Sequence, residues 1–315
     1  MIQIKNTSFF QPIIISGCQL WLDGADPAGN GTIPANGATV STWVDKSSNG
    51  LTVSAASSQP TYVTNVVNGR GTVAFNGSQS LSAGSVTAGK LLGSTGTSAT
   101  FCVFSVSNNS QSSCPFSWDD SGYTYRYMLT LEGSQGLNFD LGDINVTSAS
   151  RINIPTSSIT FANNTYYLVS FWQSGGAARL NVNGGAYTAN TPSGFTGNIP
   201  TSTSRTFNVG AYVNNSSFFM KGNTAEIIAY NTHIPNNFQQ IEGYLAWKWG
   251  LQGSLPSTHP FARSASFASS LYFPRAIPKV IGTTVKNPLA IQGIQLWLDA
   301  AVSYTHLTLP TILRV

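Results

Sequence analysis

Between residues 19 and 230 the chain is a succession of short β-prone runs cut by tight-turn dipeptides, and one segment beyond them has helical spacing. Asn49-Gly50, Asn76-Gly77, Gly175-Gly176 and Asn183-Gly184 are the turn signals. Such pairs supply the positive φ that two-residue hairpin turns require. The runs they separate include Gln19–Asp23, Thr72–Phe75, Ala99–Val106, Tyr166–Gln173, Arg179–Val182, Thr206–Tyr212 and Thr224–Tyr230. In Tyr123–Leu131 the odd positions are Tyr, Tyr, Tyr, Leu, Leu and the even ones Thr, Arg, Met, Thr. That alternation is the mark of a half-buried strand. Pro235–Gly250 breaks the pattern, with Phe238, Ile241, Leu245 and Trp249 three or four apart, proline at the start and glycine at the end. This predicts one amphipathic helix docked on a sheet. The fold class expected from this rhythm is all-β, with that single C-terminal helix.

Only 8% of the 315 residues are charged, against the usual quarter. The chain is nonetheless not of disordered composition, because 17 Phe, 12 Tyr and 7 Trp can build a core. Solubility then rests on Ser, Thr, Asn and Gly, which suits an extracellular or virion surface. The net charge of +4 comes from scattered basic residues, so no nucleic-acid partner is expected. No apolar stretch is long enough to span a membrane, and the first fifteen residues lack the apolar core of a secretory signal.

Ile15-Ser-Gly-Cys-Gln-Leu-Trp-Leu-Asp-Gly-Ala25 returns as Ile291-Gln-Gly-Ile-Gln-Leu-Trp-Leu-Asp-Ala-Ala301, with eight of eleven positions identical and an offset of 276 residues. An offset of that size is a whole domain plus a linker, not a solenoid repeat. The sequence therefore divides into a lead-in (1–14), a sandwich (15–262), a linker (263–287) and the first strand of a second copy (288–301). Residues 302–315 resemble an in-frame translation of a sequencing adapter and read as an assembly artefact. Neighbouring copies of the same module are an expected partner.

Cys18 sits where the copy has Ile294 and reads as a buried small hydrophobe. Cys102 and Cys114 flank a polar loop, and either a local disulfide or two free thiols fits. The histidines, His233, His259 and His306, are far apart in sequence. No zinc spacing and no local Ser/His/Asp arrangement is present.

Four blocks in order point to a family. They are Leu20-Trp-Leu-Asp-Gly-Ala-Asp-Pro27; Trp43-Val-Asp-Lys-Ser-Ser-Asn-Gly50; Asn164-Thr-Tyr-Tyr-Leu-Val169 with Leu180-Asn-Val-Asn-Gly184; and Glu226-Ile-Ile-Ala-Tyr-Asn231 with Ile241–Leu251. They resemble the laminin-G-like branch of the concanavalin A-like lectin/glucanase superfamily, in the form found in giant-virus, phage and bacterial surface proteins. The resemblance covers residues 15–262 and implies a jelly-roll β-sandwich of two antiparallel sheets.

Glycosidases of that superfamily carry paired carboxylates on one strand face, and glycoside hydrolysis needs two carboxyl groups flanking the bond. No two acids here lie two apart on a predicted strand; Asp140 and Asp143 are three apart, and Glu226 and Glu242 stand alone. A non-enzymatic module is expected, with a glycan hydrolase as the third reading. Relatives often hold Ca²⁺ in rim loops, for which Asp23, Asp26 and Asp45 are the candidates, although Asp in such loops more commonly caps turns. Lectin-like sites pair an aromatic platform with Asn and Asp. Trp118, Asp119, Asp120, Tyr123, Tyr212 and Asn214 have that chemistry in loop-like sequence, with Trp118 the preferred platform. Trp21, Trp43, Trp172, Trp247, Trp249, Tyr125 and Tyr127 read as core. The function expected is carbohydrate binding or attachment, to a glycan or host-surface polysaccharide, within a multi-module surface or virion protein. A spacer or assembly module without ligand is the alternative.

Overall fold

Gly175 and Gly176 turn the chain with φ of 57° and 84°, values that glycine adopts without strain. They join two of the strands expected from the sequence into a hairpin. The computed structural model describes residues 10–55, 58–92, 96–119, 125–142, 151–189, 197–212 and 218–263. The chain divides into two units, residues 1–273 and 274–315, and every described residue belongs to the first. The lead-in up to residue 9, the linker beyond Arg263, the second-copy strand and the adapter-like tail lie outside the described residues.

In chain order the first eight strands are β1 (Cys18–Asp23), β2 (Thr42–Trp43), β3 (Val53–Ser54), β4 (Thr61–Val67), β5 (Arg70–Asn76), β6 (Leu81–Thr87), β7 (Thr97–Val106) and β8 (Ser113–Asp119). Then come β9 (Arg126–Glu132), β10 (Gly136–Gly142), β11 (Arg151–Ile154), β12 (Tyr167–Ser174), β13 (Ala177–Val182), β14 (Tyr187–Thr188), β15 (Ser204–Val209) and β16 (Lys221–Tyr230). A short helix α1 (Ala88–Leu92) follows β6, and α2 (Phe238–Lys248) follows β16. Sheet one runs β14-β13-β12-β7-β16-β5-β4, with β1 also paired to β16. Sheet two runs β11-β10-β9-β8-β15-β6-β3-β2. All pairings between these strands are antiparallel. The chain is an all-β sandwich of two antiparallel sheets.

The main core lies between the sheets. Leu20 and Leu22 of β1, Phe104 of β7 and Ile227 of β16 face Phe116, Trp118, Tyr127, Leu129 and Phe139 of sheet two. Phe139 stacks on Phe171 of β12 at 3.9 Å between ring centroids. Alternate residues of sheet one point the other way. Trp21, Phe101, Val103, Ile228 and Tyr230 form a second core with α2. This is why β7 and β16 read as near-continuous apolar runs: both their faces are buried.

Helix α2 buries Phe238, Ile241, Leu245 and Trp249, the stripe read from the sequence. It starts three residues after Pro235 and ends at Gly250 with φ 72°. The Leu251 amide donates to the Ala246 carbonyl at 2.7 Å, a six-to-one closure that a left-handed residue permits. Among the described residues no helix is long and apolar enough to cross a membrane.

Of the two cysteine states that the sequence allows, the structure has free thiols. Cys18, Cys102 and Cys114 are all unbridged and buried. Cys102 belongs to the inter-sheet core and Cys114 to a separate cluster with Met128 and Tyr212.

Candidate functional site

Two groups of buried polar side chains stand out. The first lies beneath α2. Asp23 is opposite Glu226 in the β1–β16 pairing, so neither carboxylate stands alone, contrary to the sequence reading of Glu226. The Lys248 ammonium lies 2.7 Å from both. Glu226 also accepts the indole N–H of Trp21 and of Trp249, each at 2.7 Å, and the Tyr244 hydroxyl at 2.9 Å. Burial pushes the Asp23 carboxyl up, but the Lys248 and Lys46 ammoniums outweigh it and hold the group at about 2. Burial raises Glu226; Lys248 opposes the rise and Asp23 adds to it. A cation between two acids leaves no gap for a glycosidic bond, so this group braces the helix on the sheet.

The expected metal site dissolves into the same brace. Lys46 lies 3.1 Å from Asp23 and 3.2 Å from Asp26, so an ammonium holds the place a calcium ion would need. Asp26 also accepts the Asn30 and Gly31 amides. Asp45 accepts the amides of Trp21, Ser47 and Leu51 and the Ser47 hydroxyl. These carboxylates are capping and pairing groups, and the donor set does not fit a resident Ca²⁺. Glu242 likewise has partners. It accepts the Ser170 hydroxyl at 2.5 Å and pairs with His259 Nε2 at 3.1 Å. The Phe261 amide donates to His259 Nδ1, which puts the ring proton on Nε2, pointing at Glu242. The carboxylate stands between serine and histidine, so the imidazole does not reach the hydroxyl, and the order is not that of a Ser-His-acid triad.

The second group is on the outer face of sheet two. Strand alternation sends Trp118, Tyr127, Phe139 and Phe207 inward. It sends their neighbours outward. One row crosses the whole sheet: Arg151, Asp140, Met128, Ser117, Asn208, Ser82, Ser54 and Thr42 are successive cross-strand partners. Beside it, Thr206 is the cross-strand partner of Asp119 and of Ser85, and Arg126 of β9 reaches Asp119 through its side chain. Arg151 grips Asp140 in a two-point pair at 2.7 and 2.8 Å, the strong geometry for guanidinium and carboxylate. Arg126 lies between Asp119 at 3.4 Å and Asp140 at 3.7 Å. Its NH2 donates to the Tyr212 hydroxyl, and the ring of Tyr212 sits 4.9 Å from the guanidinium. Asn208 is 0% exposed, and among the described residues neither atom of its amide has a hydrogen-bond partner. The Asn138 side-chain nitrogen is in the same condition. A buried unpaired amide costs about 1–3 kcal/mol.

This face ends in a cleft. Glu132 lies 3.6 Å from Arg151 and accepts the Thr130 hydroxyl at 3.2 Å. It also lines a cleft of about 220 Å³ with Asn109, Ser110, Thr156, Thr160 and Phe161. Ser110, Thr156 and Thr160 are exposed. Gly136, at φ 95°, lets the Ile154 carbonyl pass where any Cβ would stand 2.2 Å away. The β9–β10 turn and the segment after β11 can therefore close on each other to form the wall.

Several sequence-predicted residues move in the light of this geometry. Trp118 is on β8, is 0% exposed and donates its indole N–H to the Val86 carbonyl at 2.8 Å. The exposed platform expected of it is corrected: the strand continues further than its polar sequence suggested, and alternation turns the ring into the core. Asp119 and Tyr212 are brought together through Arg126. Asp120, Tyr123 and Asn214 lie outside the described residues. Trp172 and Trp247 are half-buried rather than core, with Trp172 stacked on His233 at 4.5 Å. No local pattern in the sequence marks Arg126, Glu132, Asn138, Asp140, Arg151 and Asn208 as one group. The even-numbered positions of the Tyr123–Leu131 run signalled a polar face, but not which strands share it.

No model of a known protein family matches the chain, and no curated protein matches it. Solved structures do. One is domain 4 of AbnA, a GH43 extracellular arabinanase from Geobacillus stearothermophilus in complex with arabinotriose. It is 14% identical, covers 71% of this chain and 98% of its own, and has a TM-score of 0.44. The binding domain of botulinum neurotoxin serotype D is 11% identical over 71% of this chain and 50% of its own, with a TM-score of 0.46. The Ruminococcus gnavus IT-sialidase CBM40 bound to α2,3-sialyllactose is 8% identical over 47% and 83%, with a TM-score of 0.36. At such scores the function of the site rests on its own geometry.

Proposed function

We propose that this chain is a non-enzymatic carbohydrate-binding module of the laminin-G-like, concanavalin A-like kind. It serves attachment in a multi-module surface or virion protein alongside further copies of itself. The observation that carries the reading is the contrast between the two outer faces. Sheet one is capped by a helix. Sheet two carries on its outer side a polar layer, buried at its centre, that runs across all its strands and ends in an open cleft lined by hydroxyls, an amide and a carboxylate. Oligosaccharides are recognised by such groups, because each sugar hydroxyl both donates and accepts. Binding rather than hydrolysis is favoured because Lys248 and Arg126 stand between the acids that converge. Thr160→Trp fills the cleft from an exposed position and should abolish binding on a glycan array, with an unchanged thermal midpoint. Glu132→Ala should weaken it at least tenfold. Retention of full binding by both variants would move the site elsewhere.

A spacer without ligand is the second reading, and the complete burial of Asp119, Asp140 and Asn208 favours it. It predicts that no array member is bound and that neither variant changes anything but stability.

A further inference from the structure

The charges of the polar face point to a class of ligand, and this step rests on the carbohydrate-binding reading above. Three carboxylates, Asp119, Asp140 and Glu132, meet two guanidiniums, Arg126 and Arg151, so the described part of the face carries one net negative charge. Both guanidiniums are already engaged. Arg151 gives Nε and NH2 to Asp140, and its NH1 faces Gln135 and Glu132. Arg126 gives NH2 to Tyr212, and its other two nitrogens face Asp119 and Asp140. A carboxylated sugar needs a free fork of donors to replace the water it leaves. Here it would meet the Glu132 carboxylate at the cleft wall and would have to break a pair formed within the chain. Two neutral groups outside the cleft lining, the buried Asn208 amide and the Asn138 side-chain nitrogen, have no hydrogen-bond partner among the described residues.

We infer that this face selects uncharged sugars and rejects carboxylated ones, with Glu132 as the residue that sets the discrimination. The repulsion acts between a half-buried and an incoming charge, so it weakens as salt shortens the Debye length. The test is an array pairing neutral oligosaccharides with their sialylated and uronic-acid counterparts, read at low and at physiological ionic strength. Wild-type protein should bind the acidic member of each pair at least tenfold more weakly, and more so at low salt. Glu132→Gln keeps a hydrogen-bonding group and removes the charge, and should narrow the gap to within about threefold. Gln135→Glu adds a negative charge at an exposed position beside Arg151 and should widen it. Equal or tighter binding of the acidic members, or a gap that neither variant moves, overturns the inference while leaving carbohydrate binding intact. Failure to bind any sugar, neutral or acidic, overturns the parent reading and this one with it.

Discussion

Lys248 is the residue on which most depends. It neutralises two buried carboxylates from different segments and sits at the last turn of α2, where the helix dipole also favours a cation. Lys248→Met removes the charge and keeps the stem. It leaves Asp23 and Glu226 facing each other and should cost about 3–5 kcal/mol in urea unfolding, the usual penalty for breaking a buried pair. Asp23 makes the same brace pH-dependent. Its carboxyl is held at about 2 against 3.8 when unfolded. The stabilisation is therefore complete above about pH 4 and is lost as pH falls toward 2, a loss of about 2 kcal/mol. Glu226 has the opposite sign, because its raised value favours the folded state at low pH and that contribution fades as pH rises through it. Comparing wild type with Asp23→Asn isolates the first effect: the stability gap between them should shrink from pH 5 to pH 2. A constant gap would mean that the ion pair contributes nothing. The thiols behave more simply. Burial pushes the Cys18 thiol up to about 12 and raises Cys102 and Cys114 as well, so a thiol reagent should modify none of them until the protein unfolds.

At the scale of elements, β1 is the informative case. Its repeated motif, Gln-Leu-Trp-Leu-Asp, is the part that does three jobs at once. Leu20 and Leu22 enter the inter-sheet core, Trp21 enters the core under the helix, and Asp23 reaches Lys248. Gly24 follows, where a Cβ would stand 2.4 Å from the Ala225 carbonyl oxygen. The repeat has Ala300 at the matching position. Gly24→Ala, or a chimaera carrying residues 293–300 in place of 17–24, should destabilise the module by about 1–3 kcal/mol, as overpacking does. An unaffected melting midpoint would show that β16 yields at no cost. The helix illustrates a different dependence. Its apolar stripe and its terminal glycine were legible from spacing alone, but its polar side chains, Glu242 and Lys248, gave no such sign. Both are buried, and their partners Ser170, His259, Asp23 and Glu226 come from strands and loops outside the helix.

In the described unit the two sheets differ in what their outer sides carry, apolar side chains packed under α2 on sheet one and polar side chains on sheet two. Removal of residues 236–263 would uncover Phe101, Val103, Ile228 and Tyr230. That is an apolar face with no cover, so the truncated chain should bind a hydrophobic dye and aggregate where the intact one stays monodisperse. Sequence alone determined the strand rhythm, the positions of the tight turns and the single long helix, because those follow from local periodicity and from backbone preferences within a few residues. Tertiary structure alone decided which polar residues meet. Asp140 and Asn208 share a row only because β10, β9, β8 and β15 are neighbours in register, and Trp118 lies in the core only because β8 continues through a polar-looking stretch. Strand order depends on contacts between segments far apart in the chain, and no local pattern carries that information.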